Sequence, residues 1–168
     1  MHTRLAKPTD ADEIAAIYNA AVETPLNFDL RPRSIDEQAT WLRERSGAYA
    51  AVVAIGDDGE VIGFASLSPY RTRPAYSTTV EDSVYVRADQ RGAGVGRFLL
   101  DELIAVATRH GFHSIIARIV GGNEPSVALH RAAGFDVDGT EREVGRKFRR
   151  WLDVIVLQLL LTAPDPDD

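Results

Sequence analysis

The sequence contains no cysteine, which excludes disulfide bonds, thiolate metal ligands and a cysteine nucleophile. Its four histidines show no zinc-ligand spacing such as His-Glu-x-x-His, so we expect no metal. The longest apolar stretch, residues 154–161, is interrupted by Gln158 and is far shorter than the ~20 residues that cross a membrane. Residues 1–8 lack the apolar core of a signal peptide. We therefore expect a cytoplasmic protein that does not bind membranes.

Charge narrows the possible partners further. The formal net charge is −6, and the basic residues are scattered apart from one cluster at residues 146–150. Nucleic-acid binding needs a basic patch or stripe, so we expect no nucleic-acid partner. The 168 residues, 45% of them hydrophobic, suffice for one domain with its own core. We expect that domain to span residues 1–162 and the acidic tail, residues 163–168, to be mobile.

Hydrophobic periodicity and turn residues predict the element order β-α-α-β-β-β-α-β-α-β-β, with a first strand at residues 5–8. Asp10-x-x-Glu13 and Ser34-x-x-Glu37 have the pattern of capping boxes and begin the first two helices. The last two strands are predicted at residues 136–140 and 151–161. A mixed sheet with helices on both faces fits this order, so the predicted fold class is α/β (α+β).

A glycine-rich turn is the most informative segment. Gly92, Gly94 and Gly96 lie between a predicted strand at residues 77–86 and an amphipathic helix. Such a turn can direct backbone amides toward one point, and the helix adds its unpaired first-turn amides and the positive end of its dipole. This arrangement suits a pyrophosphate. Neither the Walker A motif nor the dinucleotide fingerprint fits the glycine spacing, and an ordinary strand–helix loop is the alternative.

The motif Gln90-Arg91-x-x-Gly94-x-Gly96 resembles the acetyl-CoA signature of the GCN5-related N-acetyltransferases (GNATs). The segment from Asn123 to Phe135 resembles the second signature of that superfamily, an Asn-led helix ending in Gly-Phe. Residues 80–86 and 147–153 are similar to the phosphinothricin acetyltransferase branch. The resemblance covers residues 3–161. It implies the GNAT fold, a mixed, mostly antiparallel sheet of about seven strands flanked by about four helices, and we also expect a homodimer.

The resemblance further implies that acetyl-CoA is the co-substrate. The pantetheine arm would pair with the strand backbone as an added strand, and the loop amides would hold the pyrophosphate. Asn123 would contact the pantetheine, cap the helix that it begins, or do both. The expected cofactor-binding residues are Val84, Tyr85, Val86, Arg91, Gly92, Ala93, Gly94, Val95, Gly96, Arg97, Asn123 and Ser126.

Glu81 is the predicted general base, at the position of the family's proposed catalytic glutamate. A carboxylate with a pKa near ~4.3 is a weak base, so it needs a raised pKa or a water that relays the proton. Strand alternation directs Asp82 to the opposite face, which makes it the weaker candidate. His130 could donate a hydrogen bond to the CoA sulfur or orient the substrate. The alternatives are a solvated Glu81 and a buried helix histidine with no catalytic role.

The resemblance places the acceptor near Arg71, Arg73, Tyr76 and Phe28. Guanidinium groups suit carboxylates and tetrahedral oxyanions, although a solvated basic loop is the alternative for the two arginines. Phe28 would close the pocket or serve as a structural anchor. The resemblance implies direct acetyl transfer to the α-amine of a small amino acid such as phosphinothricin, methionine sulfoximine or methionine sulfone. A protein or peptide N-acetyltransferase and a non-catalytic CoA-binding module are the alternatives.

Overall fold

The computed structural model describes residues 1–161, so the expectations for residues 162–168 lie outside the described residues. Within that range the element order is the predicted one. The helices are α1 (Ala11–Val22), α2 (Ile35–Arg43), α3 (Val95–Arg109) and α4 (Glu124–Ala132). The strands are β1 (His2–Leu5), β2 (Val52–Ile55), β3 (Val61–Pro69), β4 (Thr79–Val86), β5 (Ser114–Val120), β6 (Asp136–Lys147) and β7 (Arg150–Leu160).

These strands form one seven-stranded sheet in the order β1-β2-β3-β4-β5-β7-β6. Every neighbouring pair is antiparallel except β4 and β5, which are parallel. The mixed, mostly antiparallel sheet with its helices confirms the predicted fold class.

Two hydrophobic clusters cover the two faces of the sheet. Leu99, Leu100 and Leu103 of α3 are fully buried in the larger cluster, against which α4 also packs. The smaller cluster joins α1 and α2 to the other face of β2 and β3. Successive residues of β4 alternate between these layers, since Val84 packs with the α3 cluster and Tyr85 with the α1 cluster. Neighbouring side chains of β4 therefore meet different surroundings.

The N-terminal predictions were only partly right. The first strand ends at Leu5 and not at Pro8, because Pro8 cannot donate to a ladder and instead begins a 3-10 turn. Asp10 does not cap α1, since its carboxylate accepts hydrogen bonds from Arg4 (2.7 and 2.8 Å) and from the Lys7 amide (2.7 Å). The capping box of α2 is confirmed, with the Glu37 amide donating to Ser34 Oγ at 3.1 Å and the Ser34 amide donating to Glu37 Oε2 at 2.8 Å.

β6 is longer than predicted. It continues to Lys147, with register shifts against β7 between Val137 and Gly139 and between Glu141 and Gly145. These irregularities interrupt the alternating pattern, which is why the sequence indicated only the first part of the strand. The end of the strand reaches the loop between α1 and α2. There the buried Lys147 ammonium donates to the carbonyl oxygens of Val22 (2.6 Å) and Asn27 (2.9 Å).

Lys147→Met tests this link. Methionine retains an unbranched stem but removes both hydrogen bonds, which leaves two carbonyl groups without their partner. We expect the free energy of unfolding to fall by about 1–3 kcal/mol, measured by urea denaturation followed by tryptophan fluorescence. Arg142→Met on the exposed part of β6 is the control and should change it by about 0.5 kcal/mol or less. Equal changes in the two variants would contradict a role for the ammonium.

Candidate active site

The sheet opens between β4 and β5. Their ladder contains only three pairs, Thr79–Ser114, Val80–Ile115 and Glu81–Ile116, although β4 continues to Val86 and β5 to Val120. The antiparallel ladder between β4 and β3 instead continues from Val80 to Val86, the end of β4. A gap therefore begins just after Glu81, and β4 forms one of its edges.

The direction of the backbone hydrogen bonds along β4 shows which residues turn their main-chain groups toward this gap. The Arg87 amide donates to the Ile62 carbonyl, so the main chain of Arg87, and by alternation that of Tyr85, is directed to β3. The main chains of Val84 and Val86 then point toward β5, where the ladder has already ended. Two of the three residues predicted to pair with the pantetheine arm thus present free backbone groups to the gap. Tyr85 presents its backbone to β3.

The glycine-rich turn lies at the end of β4. Gly92 and Gly94 have φ of +79° and +84°, and a Cβ at either would meet nothing within 4 Å, so their backbone conformation is what favours glycine. Gly96 differs, because a Cβ there would lie 3.1 Å from Leu129 Cδ2. Gly96 therefore permits close packing of α3 on α4.

The turn supplies free backbone donors. The first helical bond of α3 runs from the Phe98 amide to the Gly94 carbonyl at 3.1 Å. Within residues 1–161, no acceptor is found for the amides of Arg91, Gly92 and residues 94–97. The exposed turn can thus offer several N–H groups to an anion. The Arg97 side chain is already engaged, because it donates to Asp101 and to the Ala132 carbonyl, both at 2.7 Å.

Asn123 caps α4, which is one of the two roles predicted for it. Its side-chain oxygen accepts a hydrogen bond from the Ser126 amide at 3.4 Å. Contact of Asn123 or Ser126 with the pantetheine stays a prediction.

His130, on α4, is only 3% exposed and is paired with Asp82 of β4. Its Nε2 lies 2.9 Å from Asp82 Oδ2, and its Nδ1 lies 2.7 Å from the Ser126 carbonyl oxygen. The ring can donate to both oxygens only when it is doubly protonated. Burial lowers the pKa of His130, but the hydrogen bond and charge of Asp82 and the Ser126 carbonyl outweigh it, so the net shift is upward.

The two predicted catalytic side chains are not brought together. His130 and Asp82 lie in the layer of α3 and α4, whereas Glu81 points to the opposite face of β4. Both ring nitrogens of His130 are also occupied, so donation to a sulfur atom would break an existing hydrogen bond. The geometry favours the structural alternative for His130. One sequence feature indicates its partner, because Asp82 is an acidic residue at a strand position that faces the apolar layer.

Glu81 is partly buried beside the start of the gap. Burial raises the pKa of its carboxyl group above the ordinary value, and the charges of Asp82 and Glu141 act in the same direction. Arg118 and Arg71 oppose this shift without cancelling it. The upward direction is the one that a general base for an amine requires.

The loop between α1 and α2 borders the same face of the sheet. Asn27 Nδ2 donates to the buried Tyr85 hydroxyl at 3.2 Å, and burial raises the pKa of Tyr85 to about 12. The ring of Phe28 lies against Gly145 of β6, where even a Cβ would collide with it. Phe28 is still partly exposed. It thus combines an anchoring contact with an accessible surface, which leaves both of its predicted roles open.

The predicted acceptor residues of the β3–β4 loop are all exposed. The Arg71 guanidinium lies 4.9 Å from the centre of the Tyr70 ring and donates to the Tyr70 hydroxyl at 3.3 Å. Tyr76 packs edge-on against Tyr70 with 5.5 Å between ring centres. Arg71 is thus held by aromatic rings, and its positive charge acts to lower the pKa of Glu81. Arg73 is exposed on the same loop.

Sequence reasoning missed Arg118. It is the exposed residue of an otherwise buried β5, and it donates to the carboxylate of Glu141 on β6. The available signal was a single charged residue inside the apolar run of residues 115–120.

Comparison with known proteins identifies the family. Residues 3–156 match the sequence model of the Acetyltransferase (GNAT) domain. The chain belongs to the GNAT acetyltransferase family. A methionine sulfoximine/methionine sulfone acetyltransferase from Pseudomonas aeruginosa is 43% identical over 161 residues, which cover 94% of this GNAT chain and 93% of the relative.

Solved GNAT structures agree with this assignment. A phosphinothricin acetyltransferase from Sinorhizobium meliloti, solved in complex with acetyl-CoA, superimposes with a TM-score of 0.91 at 38% identity, covering 98% of this chain and 93% of that one. A ribosomal-protein-alanine N-acetyltransferase from Brucella melitensis gives a TM-score of 0.92 at 39% identity, covering 96% of this chain and 100% of that one. The predicted superfamily and enzyme class are confirmed.

Two other features can be stated for residues 1–161. No helix there combines the length and apolarity needed to cross a membrane. No group of three or more His, Asp or Glu side chains in that range is arranged to hold a metal ion.

Asp82→Asn tests the buried pair. The pKa of His130 is raised in the folded protein. The pair therefore makes its full contribution to stability at pH values below the pKa of an unfolded histidine, about 6.5. This contribution is lost as the pH rises through the pKa that His130 has in the folded protein. Between about pH 5 and 6.5 we expect Asp82→Asn to lower the free energy of unfolding by about 1–3 kcal/mol. The difference from the parent protein should shrink at higher pH.

Urea denaturation across this pH range measures the effect. Asp101→Asn, which breaks an ion pair between half-exposed partners, is the control, with a loss of about 0.5 kcal/mol or less. A loss in Asp82→Asn that does not change with pH would mean that His130 is neutral in the folded protein.

Proposed function

We propose that this GNAT enzyme transfers the acetyl group of acetyl-CoA to the α-amine of a small amino acid or amino-acid analogue. Methionine sulfoximine, methionine sulfone and phosphinothricin are the first candidates, because near-full-length relatives at about 40% identity act on them. The observation that carries the proposal is the gap between β4 and β5, which begins beside a partly buried glutamate with a raised pKa.

In this proposal the gap binds acetyl-CoA. The backbone groups of Val84 and Val86 would hold the pantetheine arm, and the free amides of residues 91–97 would hold the pyrophosphate. The Sinorhizobium meliloti relative was solved in complex with acetyl-CoA, which supports acetyl-CoA as the co-substrate. The thioester would then lie near Glu81, where the two strands meet.

The reaction would be a direct transfer within a ternary complex. The amine nitrogen attacks the thioester carbonyl carbon, the carbon–sulfur bond breaks, and the CoA thiolate leaves. Glu81 accepts the proton of the substrate ammonium, directly or through a water molecule. Holding both reactants in position supplies much of the rate enhancement. We assign His130 and Asp82 to holding α4 against β4.

A second candidate is acetylation of a protein N-terminus. The similarity to the Brucella melitensis ribosomal-protein-alanine N-acetyltransferase favours it. A thiol-release assay with acetyl-CoA should separate the two functions when free amino acids, their sulfone, sulfoximine and phosphinate analogues, and short peptides are compared at equal concentration. Turnover of peptides without turnover of any free amino acid would overturn the proposal.

We also propose that the enzyme acts as a cytoplasmic homodimer. Val144, Phe148 and Trp151, around the β6–β7 turn, are each more than half exposed, and large apolar side chains grouped at a surface are typical of interfaces. Light scattering during size-exclusion chromatography should give the mass of two chains. A one-chain mass at micromolar concentration would contradict the dimer.

Gly94→Ala tests the cofactor loop. Alanine at a φ of +84° costs roughly 1–2 kcal/mol, so the turn should relax and misplace the free amides. We expect the KM for acetyl-CoA to rise by about tenfold, while the KM for the acceptor changes little. Gly59→Ala is a matched control, because Gly59 has the same φ and equally open surroundings in a remote hairpin turn. An equal rise in the KM for acetyl-CoA in both variants would show that the glycine-rich turn does not bind acetyl-CoA.

Glu81→Gln tests the base. The change retains the shape of the side chain and removes its proton affinity, so kcat should fall by roughly 10²–10⁴-fold. In the parent enzyme, activity should decline as pH falls through the raised Glu81 pKa, and this limb should be absent from the variant. Residual activity should increase with pH as the amine loses its proton unaided. Exposed Glu44→Gln is the control, and near-parental activity in Glu81→Gln would exclude the assignment.

A further inference from the structure

Arg118 lies on the same face of the sheet as Glu81. Its neighbours on β5, Ala117 and Ile119, pack into the α3 layer, so its own side chain points to the other face. Glu81 is paired with Ile116, and Arg118 is two residues farther along β5, on the same face. Arg118 is therefore placed beside the base, at the point where the gap widens.

The guanidinium of Arg118 is only partly used. It donates through Nη2 to Glu141, and the two side chains are 36% and 35% exposed. Within residues 1–161 no other hydrogen-bond acceptor is found for the Arg118 guanidinium. A guanidinium has five N–H donors in a planar fork, so most of this fork is available to a ligand.

A free amino acid has the complementary shape. Its carboxylate and its amine share one carbon atom, so an amine placed at Glu81 brings the carboxylate within a few ångströms of the same spot. The planar fork of arginine binds a carboxylate with two parallel hydrogen bonds. Arg71 and Arg73 lie on an exposed loop, whereas Arg118 is carried by a strand within the sheet, which holds a binding group more rigidly.

We propose that Arg118 binds the α-carboxylate of the acceptor through the donors of its fork that Glu141 does not use. This inference rests on the proposed function. It predicts a preference for free amino acids, because a peptide N-terminus has an amide in place of the α-carboxylate. The selectivity between the two candidate functions would then depend on one side chain of β5.

The test is Arg118→Met with a pair of acceptors, methionine sulfone and the amine that remains when its carboxylate is removed. Loss of a charged hydrogen bond should raise the KM for methionine sulfone by about 10–100-fold. The KM for the carboxylate-free amine and that for acetyl-CoA should stay within about threefold of the parent values. Arg118→Lys, which retains the charge but not the fork, should give an intermediate loss for methionine sulfone.

Glu141→Gln is the matched control, because it breaks the same ion pair and leaves the guanidinium in place. Its KM for methionine sulfone should stay near the parent value or fall. Equal losses in Arg118→Met and Glu141→Gln, or equal losses for both acceptors, would show that the ion pair is structural and would overturn the inference. A parent enzyme that acetylates peptides but no amino acid would instead overturn the proposed function.

Discussion

The pairing of β4 with β5 is the constraint on which the rest of the site depends. Three residue pairs hold the two parallel strands together, and beyond Glu81 β4 is paired only with β3 and β5 only with β7. The opening leaves one strand edge with unpaired backbone groups inside the molecule. It also fixes where the glycine-rich turn and the first turn of α3 must lie, because both follow directly from the free end of β4. A tighter β4–β5 pairing would close the site without altering a single side chain.

Strand alternation divides the chemistry of β4 between two layers. Glu81 and Tyr85 face α1 and its loop, while Asp82 faces α3 and α4 and forms a buried pair with His130. Adjacent carboxylates thus have different surroundings, since Glu81 lies beside the gap and Asp82 is paired with a histidine of α4. The same alternation on β5 directs Arg118 toward the face of Glu81. A small number of strand positions therefore determines which charged groups lie on each face of the sheet.

Local patterns predicted much of this arrangement. The element order, the α2 capping box and the glycine-rich turn each depend on residues close in sequence, and all three were predicted. The predictions failed where partners are distant or compete. Asp10 had the pattern of a helix cap, yet Arg4 takes its carboxylate. The pairs Asp82–His130 and Arg118–Glu141 join residues 48 and 23 positions apart. Hydrophobic periodicity reports only on residues close in sequence, so it does not predict such pairs.

Lys147 links the loop between α1 and α2 to a strand that is synthesised much later. The gap, the glycine-rich turn and α4 come from one continuous stretch, residues 79–135. The loop between α1 and α2 is instead anchored by contacts between Lys147 and residues 125 and 120 positions earlier. Contacts of such separation form only after the intervening chain exists. In a nascent chain, the loop between α1 and α2 therefore lacks this anchor until the end of β6 has been synthesised.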